Sequence, residues 1–226
     1  MPACFLLIET SSEEGMVGLG IDAQLRYSRK LPPDRRHGRD LIPSIQELLY
    51  QNRSTPDQIE GIFVSLGPGS FTGLRVGIMA AKALSFSTGC PVLGVNTFRV
   101  IAYSCAGISK CIEVIGDAQK KNIYHQEFKS SNGSLEEKSP LSVLTIDEWL
   151  HLRNPQAYVT GPGLIKWETL IPPDTHIVPM ENRKPELDHL LAIGLNDWNS
   201  GIRSDPSILE PLYIRASSAE QQWTKK

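Results

Sequence analysis

Gly67-Pro68-Gly69-Ser70-Phe71-Thr72-Gly73-Leu74-Arg75-Val76-Gly77 is the stretch that decides the fold. An apolar run, 61–66, precedes it and reads as a buried strand. An Ala-rich run, 78–88, follows as a helix, and a second short apolar run, 91–95, as another strand. Strand, glycine loop, helix and strand make a parallel crossover unit. The loop lies at the carboxyl end of a strand and the amino end of a helix. Free backbone N–H groups gather there, and the helix dipole favours an anion or a partner's acceptor group. A Walker A loop is excluded, because Thr72-Gly73-Leu74-Arg75 stands where Gly-Lys-Ser/Thr is needed. The dinucleotide fingerprint is also missed: the third glycine of Gly67-x-Gly69-x-x-x-Gly73 comes one place late. Three uses remain for the loop: a phosphate cradle, a tight turn that lets the helix pack close to its sheet, or a contact with another protein.

The helix after the loop adds a second pattern. Gly73, Gly77 and Ala81 recur at i, i+4 and i+8, with Ala80 and Ala83 beside them. A stripe that small admits another backbone. Leu74, Ile78 and Met79 offer a separate apolar face for the chain's own sheet. The reading is therefore two contact faces, the small one intermolecular and the larger one internal. On that reading Gly77→Leu holds or raises the melting temperature while partner binding is lost.

Outward from this unit, the 226 residues and net charge of −2 allow one large or two small domains. Nothing global marks a protein that coats nucleic acid. The opening run to Ile8 has no cationic start and meets Glu9 at once, so a first strand is expected rather than a signal peptide. No apolar run approaches the ~20 residues that span a bilayer. Cys4, Cys90, Cys105 and Cys111 lie in or beside apolar stretches without a CxxC, as expected for buried thiols of a reducing cytoplasm. His37, His125, His151, His176 and His189 form no HxxH, HxxxH or HExxH pair, so no metal site is expected. No GxSxG elbow occurs. Arg26, Arg29, Lys30, Arg35, Arg36 and Arg39 form a basic run that fits tRNA capture, a solvated surface or a partner-facing patch.

Strands at 4–10, 16–21 and 24–31 read as a meander. Leu41, Ile42, Ile45, Leu48 and Leu49 keep a helical period over about 37–52. Thr55-Pro56-Asp57-Gln58 reads as a capped turn. The order β-β-β-α-β-α-β through residue 95 is ribonuclease-H-like. The second half starts after a small helix over about 97–106. Strands at 111–115 and 122–128 flank Asp117-Ala118, and Thr145 caps a helix. A strand at 158–160 runs into Gly161-Pro162-Gly163, a short strand follows at 176–178, and Leu187, Leu190, Leu191, Leu195 and Trp198 line a closing helix. The chain is thus expected to be α/β with two ribonuclease-H-like lobes, 1–106 and 107–226. The second is reduced and carries the closing helix and a polar tail.

Two such lobes are the plan of the actin/Hsp70/sugar-kinase (ASKHA) superfamily. Its working members bind ATP between lobes, with an acidic residue and hydroxyls in the first turn and an Asp-x-Gly turn in the second lobe. Here Glu9-Thr10-Ser11-Ser12 stands in the first place and Asp117-Ala118-Gln119-Lys120 in the second, without the glycine that lets backbone approach a phosphate. With these residues the chain resembles the bacterial TsaB (YeaZ) family. The matching pieces are Glu9-Thr10-Ser11, His37, Leu41-Ile42-Pro43-Ser44-Ile45, the long glycine motif, Asp117-Ala118 with Tyr124, and Pro211-Leu212-Tyr213-Ile214-Arg215. Glu9 departs from the family's usual Asp.

The resemblance implies a non-catalytic scaffold for tRNA threonylcarbamoyladenosine (t6A) formation. Its catalytic partner is a TsaD-type paralogue, joined by a TsaE-type ATPase, while TsaC supplies the threonylcarbamoyl-adenylate. The implied partner interface holds His37, Gly69, Ser70, Phe71, Thr72, Gly73, Arg75, Gly77 and Ala81. Glu9, Thr10, Ser11 and Asp117 mark degenerate nucleotide turns. The same resemblance implies no catalytic residue, no metal and no tightly bound cofactor, with ATP used by the partners. It also implies a cytoplasmic chain off the membrane, tRNA reached indirectly, and a homodimer when the chain is alone. The alternative is an ATP-dependent carbamoyl transferase or a peptidase acting in its own right.

Overall fold

The computed structural model describes residues 3–32, 37–131 and 134–212. Arg35, Arg36 and Tyr213-Ile214-Arg215 lie outside the described residues, as does the His37 side chain. The first lobe holds β1 (Cys4–Glu9), β2 (Met16–Ile21), β3 (Gln24–Lys30), α1 (His37–Gln51), β4 (Gly61–Ser65), α2 (Phe71–Thr88) and β5 (Val92–Val95). Its sheet runs β3-β2-β1-β4-β5. The β1-β2-β3 meander is antiparallel, and β4 and β5 join β1 in parallel.

Every residue of β1 is buried, because helices cover both faces of the sheet. Side chains alternate along it with the strand period of two. Leu6 and Ile8 pack with Leu41, Ile45 and Leu48 of α1 and Ile78 and Ala81 of α2. Phe5 and Leu7 pack on the opposite face with Phe63, Leu93 and the closing helix, α6 (Leu187–Asn199). Gly194 lets α6 settle on the sheet, since a Cβ there would come within 2.2 Å of the Phe63 ring.

The helix after the glycine loop starts at Phe71, not at residue 78. Ser70 caps it by accepting from the Gly73 N–H at 3.2 Å, and Gly89 ends it at φ 73°. Two glycines in the first two turns do not delay a helix that is capped and packed on a sheet.

The second lobe repeats the plan. It contains β6 (Cys111–Asp117), β7 (Asn122–Ser131), β8 (Ser134–Glu137), β9 (Ser142–Thr145), α4 (Ile146–Leu152), β10 (Tyr158–Thr160), α5 (Leu164–Trp167) and β11 (His176–Ile177). Its sheet runs β11-β10-β6-β7-β8, with β9 also paired to β7. Between the lobes lies α3 (Thr97–Tyr103). Its Val100 joins the first sheet's core, while Phe98 and Ile101 pack with Ile112, Val114 and Phe128 of the second.

The expected boundary at 107–226 needs a correction. The closing helix and the segment behind it return to the first lobe. Ser204 bridges to Val92, and its hydroxyl accepts from the Gly94 N–H at 3.0 Å. Leu209 is buried in the first core, and the Leu212 N–H donates to the Leu66 carbonyl at 2.8 Å. The cause is the bare second face of the first sheet, which α6 covers. Cys4, Cys90 and Cys105 are buried free thiols, and Cys111 is half-buried. Burial, with Cys4 and Glu60 nearby, pushes the Cys90 thiol up to about 11.

A polar group sits at the centre of the second lobe. The Glu113 carboxylate accepts from Trp149 Nε1 at 2.7 Å and from the Asn154 N–H at 2.7 Å, with His125 Nε2 at 3.3 Å. Burial pushes this carboxyl upward, but the bonds from His125, Asn154 and Trp149 outweigh it and hold the group below its usual range. Its stabilisation is therefore complete above about pH 5 and is lost as pH falls through the lowered value. Glu113→Leu leaves buried donors unmatched and is expected to cost about 3 kcal/mol. Thermal melts checked at pH 7 and pH 4 should differ less for the variant than for the native chain.

Candidate functional site

The ends of β1 and β6 form the turns that would face a nucleotide. In the first turn Glu9 is fully buried. Its Oε1 accepts from the Ser11 N–H at 2.6 Å and from Ser11 Oγ at 2.5 Å, and its Oε2 accepts from Ser65 Oγ. Burial pushes the Glu9 carboxyl above its usual range, against the pull of those serines. The extra methylene relative to Asp carries the carboxylate back to Ser65 on β4, away from the cleft.

The glycine loop is pressed onto this turn. The Ser70 N–H donates to the Ser11 carbonyl at 2.6 Å. A Cβ at Gly69 would lie 2.2 Å from the Ser11 carbonyl oxygen, at Gly73 2.1 Å from the Thr10 carbonyl oxygen, and at Gly77 2.2 Å from Thr10 Oγ1. Of the three uses open to the loop, the geometry selects close packing of α2 on β1.

That overturns part of the expected interface. Gly73, Gly77 and Ala81 are buried against the chain's own sheet, so the small stripe is internal. Met79, expected to face the sheet, is instead 62% exposed, while Leu74 and Ile78 do face inward. Gly69, Ser70, Phe71, Thr72 and Arg75 are exposed, with the Arg75 guanidinium 4.0 Å over the Phe71 ring. At about 100° per residue, Thr72, Arg75, Met79, Ala83 and Phe86 share one face of α2. Sequence reasoning missed this outer stripe because it followed the glycines; the same arithmetic applied to Met79 and Phe86 finds it.

The exposed face of α1 lies beside it. Gly38 of α1 stands next to Val76 of α2, and His37 opens α1 at the same end. Ile42 and Tyr50 point outward from α1, Tyr50 at 85% exposure, and Phe86 of α2 is 65% exposed. Ile42, Tyr50, Phe71, Met79 and Phe86 thus place five large apolar side chains on one two-helix face. Its charges are largely offset locally: Glu47 pairs with Arg29 at 2.8 Å and Asp40 with Arg39 at 2.6 Å. Lys30 pairs with Glu14 at 3.3 Å. The described part of the basic run is therefore mostly balanced by acids.

The second turn is closed differently. Asp117 accepts from the Gln119 N–H at 2.9 Å, and Lys166 of α5 reaches both its oxygens, at 2.9 and 3.1 Å. Gln119, Lys120 and Lys121 adopt φ of 62°, 50° and 64°, so three side-chain-bearing residues occupy left-handed backbone where a glycine turn would be open. Between the turns lies a cleft of about 770 Å³, walled by Pro68, Phe98, Ile101, Tyr124, Ile165 and Lys166 among others. Among the described residues no three His, Cys, Asp or Glu side chains converge as a metal centre. No described helix is long and apolar enough to cross a membrane.

Two ribonuclease-H-like lobes with a strand turn from each facing one cleft define an ASKHA chain. A family model described as "TsaD: tRNA N6-adenosine threonylcarbamoyltransferase" matches residues 32–184. The chain is 29% identical over 196 residues to the tRNA threonylcarbamoyladenosine biosynthesis protein TsaB of Bacillus subtilis, covering 84% of each chain. Against the TsaB of Escherichia coli it is 26% identical over 229 residues, covering 97% of this chain and 96% of the other. The solved structure of YeaZ from Pseudomonas aeruginosa superposes with a TM-score of 0.80 at 22% identity, over 94% of this chain and all of that one. The chain belongs to the family of that model, on its TsaB (YeaZ) branch.

Proposed function

We propose that this chain is a non-catalytic subunit of the assembly that forms threonylcarbamoyladenosine in tRNA, and that it docks a TsaD-type paralogue through the α1–α2 face. The observation that carries this reading is the row of exposed apolar residues Ile42, Tyr50, Phe71, Met79 and Phe86 on two adjacent helices. Such an apolar, charge-balanced patch marks a protein contact rather than a solvated surface. Both nucleotide turns support the non-catalytic half of the reading. Glu9 is caged by serines, and Asp117 is paired with Lys166. On this proposal ATP is used by the partner and by a TsaE-type ATPase, tRNA is reached through the partner, and the work is cytoplasmic. The chain alone pairs with itself through the same helices.

Two outcomes test it. The purified chain is expected to form no threonylcarbamoyladenosine alone, yet to be required when the paralogue, the ATPase, tRNA and threonylcarbamoyl-adenylate are supplied. Turnover by the chain alone sinks the proposal. ATP is expected to bind the isolated chain with a Kd on the order of 0.1 mM or weaker, about −5.5 kcal/mol at best. Titration calorimetry that returns a low-micromolar value contradicts the reading of the two turns.

A further inference from the structure

The chain leaves α6, bridges to β5 at Ser204 and passes beside α2 before it reaches Leu212. Three contacts fix this strap. Lys82 Nζ of α2 donates to the Ser207 carbonyl at 3.2 Å and to the Leu209 carbonyl at 3.3 Å. Leu209 turns inward and is buried in the first core. The Asp205 carboxylate accepts from the Ser207 N–H at 2.8 Å and its hydroxyl at 2.7 Å, closing a rigid turn. Between the two carbonyls held by Lys82 stands Ile208, 74% exposed. Lys82 itself lies three residues after Met79 and four before Phe86, so Ile208 borders the outer stripe of α2 on the side away from α1.

We infer that the strap is the third element of the docking face, with Ile208 contacting the same TsaD-type partner as Met79 and Phe86. This rests on the function proposed above. Size argues for it. Among the described residues α1 and α2 together expose fifteen, eight on α1 and seven on α2. A stable protein–protein contact uses about 20–30 residues a side. The helix pair alone falls short, and the exposed residues of the strap beside α2 add to it. Continuity argues for it too, because Lys82 turns its ammonium onto the strap carbonyls, and Met79, Ile208 and Phe86 stand exposed around that contact.

The test compares Ile208→Asp with Met79→Asp in the full chain, reading paralogue affinity by calorimetry and folding by melting temperature. Ile208→Asp is expected to weaken binding tenfold or more at unchanged melting temperature, and Met79→Asp to weaken it further. If Met79→Asp weakens binding and Ile208→Asp does not, the strap inference is overturned and the helix-pair reading stands. If neither weakens binding, both fall. Should Ile208→Asp lower the melting temperature, a photo-cross-linking side chain at position 208 decides. Cross-linking to the paralogue is expected, and cross-linking only to a second copy of the chain, or to nothing, overturns the inference.

Discussion

Gly77→Leu is expected to lower the melting temperature by about 6–12 °C, the opposite of what the small-residue stripe alone predicts. The position is buried on the inner face of α2, and even a Cβ would meet Thr10 Oγ1 at 2.2 Å. Thr10 is itself fully buried in the turn after β1, so it has nowhere to retreat. Overpacking of this kind costs about 3 kcal/mol, against a gain in helix propensity of about 0.5–1 kcal/mol. For a chain of this size 3 kcal/mol corresponds to the stated fall in melting temperature. Gly73→Ala should act in the same direction, because its Cβ would meet the Thr10 carbonyl oxygen. A melt that holds or rises for Gly77→Leu would mean that α2 can lift off β1, and would return the stripe to the surface.

The second large effect is expected at Met79. Its side chain reaches solvent midway along the outer face of α2, so Met79→Asp should leave folding intact. Buried against an apolar partner surface, the new carboxylate carries a desolvation cost that the Arg75 guanidinium, one turn away and stacked on Phe71, offsets only in part. Paralogue binding is expected to weaken at least 100-fold, about 2.7 kcal/mol, with complex-dependent tRNA modification lost in parallel. Unchanged affinity, measured by calorimetry on a variant with native melting temperature, would remove α2 from the interface.

The strand order of the first lobe was legible because the meander and the crossover each carry local signals. Asp22 and Ala23 sit at φ of 50° and 61° in the expected hairpin turn. Ser70 and Gly89 cap α2 at its ends, although the Ala-rich run alone places its start at residue 78. The second lobe hid more. A four-residue helix at Leu164–Trp167 and a polar strand at Ser134–Glu137 carry no periodicity to read. Nor did the pattern of α6 reveal which sheet it covers, since an apolar stripe fits any bare face and contacts distant in sequence settle the choice. The site was legible in part. Glu9 and Asp117 stood out as altered turns, but their closure by Ser65 and Lys166 comes from residues 56 and 49 positions away. Gly73 and Gly77 were rightly singled out and wrongly assigned, because a stripe of small residues records close approach without saying to what. Contact with the chain's own β1 answered that question, and the exposed face then fell to Met79 and Phe86.

The central claim is that the outer face of α1 and α2 binds a TsaD-type paralogue. Light scattering on the purified chain mixed with that paralogue, with and without Met79→Asp, tests it most directly. A one-to-one complex is expected for the native chain and two separate species for the variant. A complex of the same mass with both, or no complex with either, would contradict it.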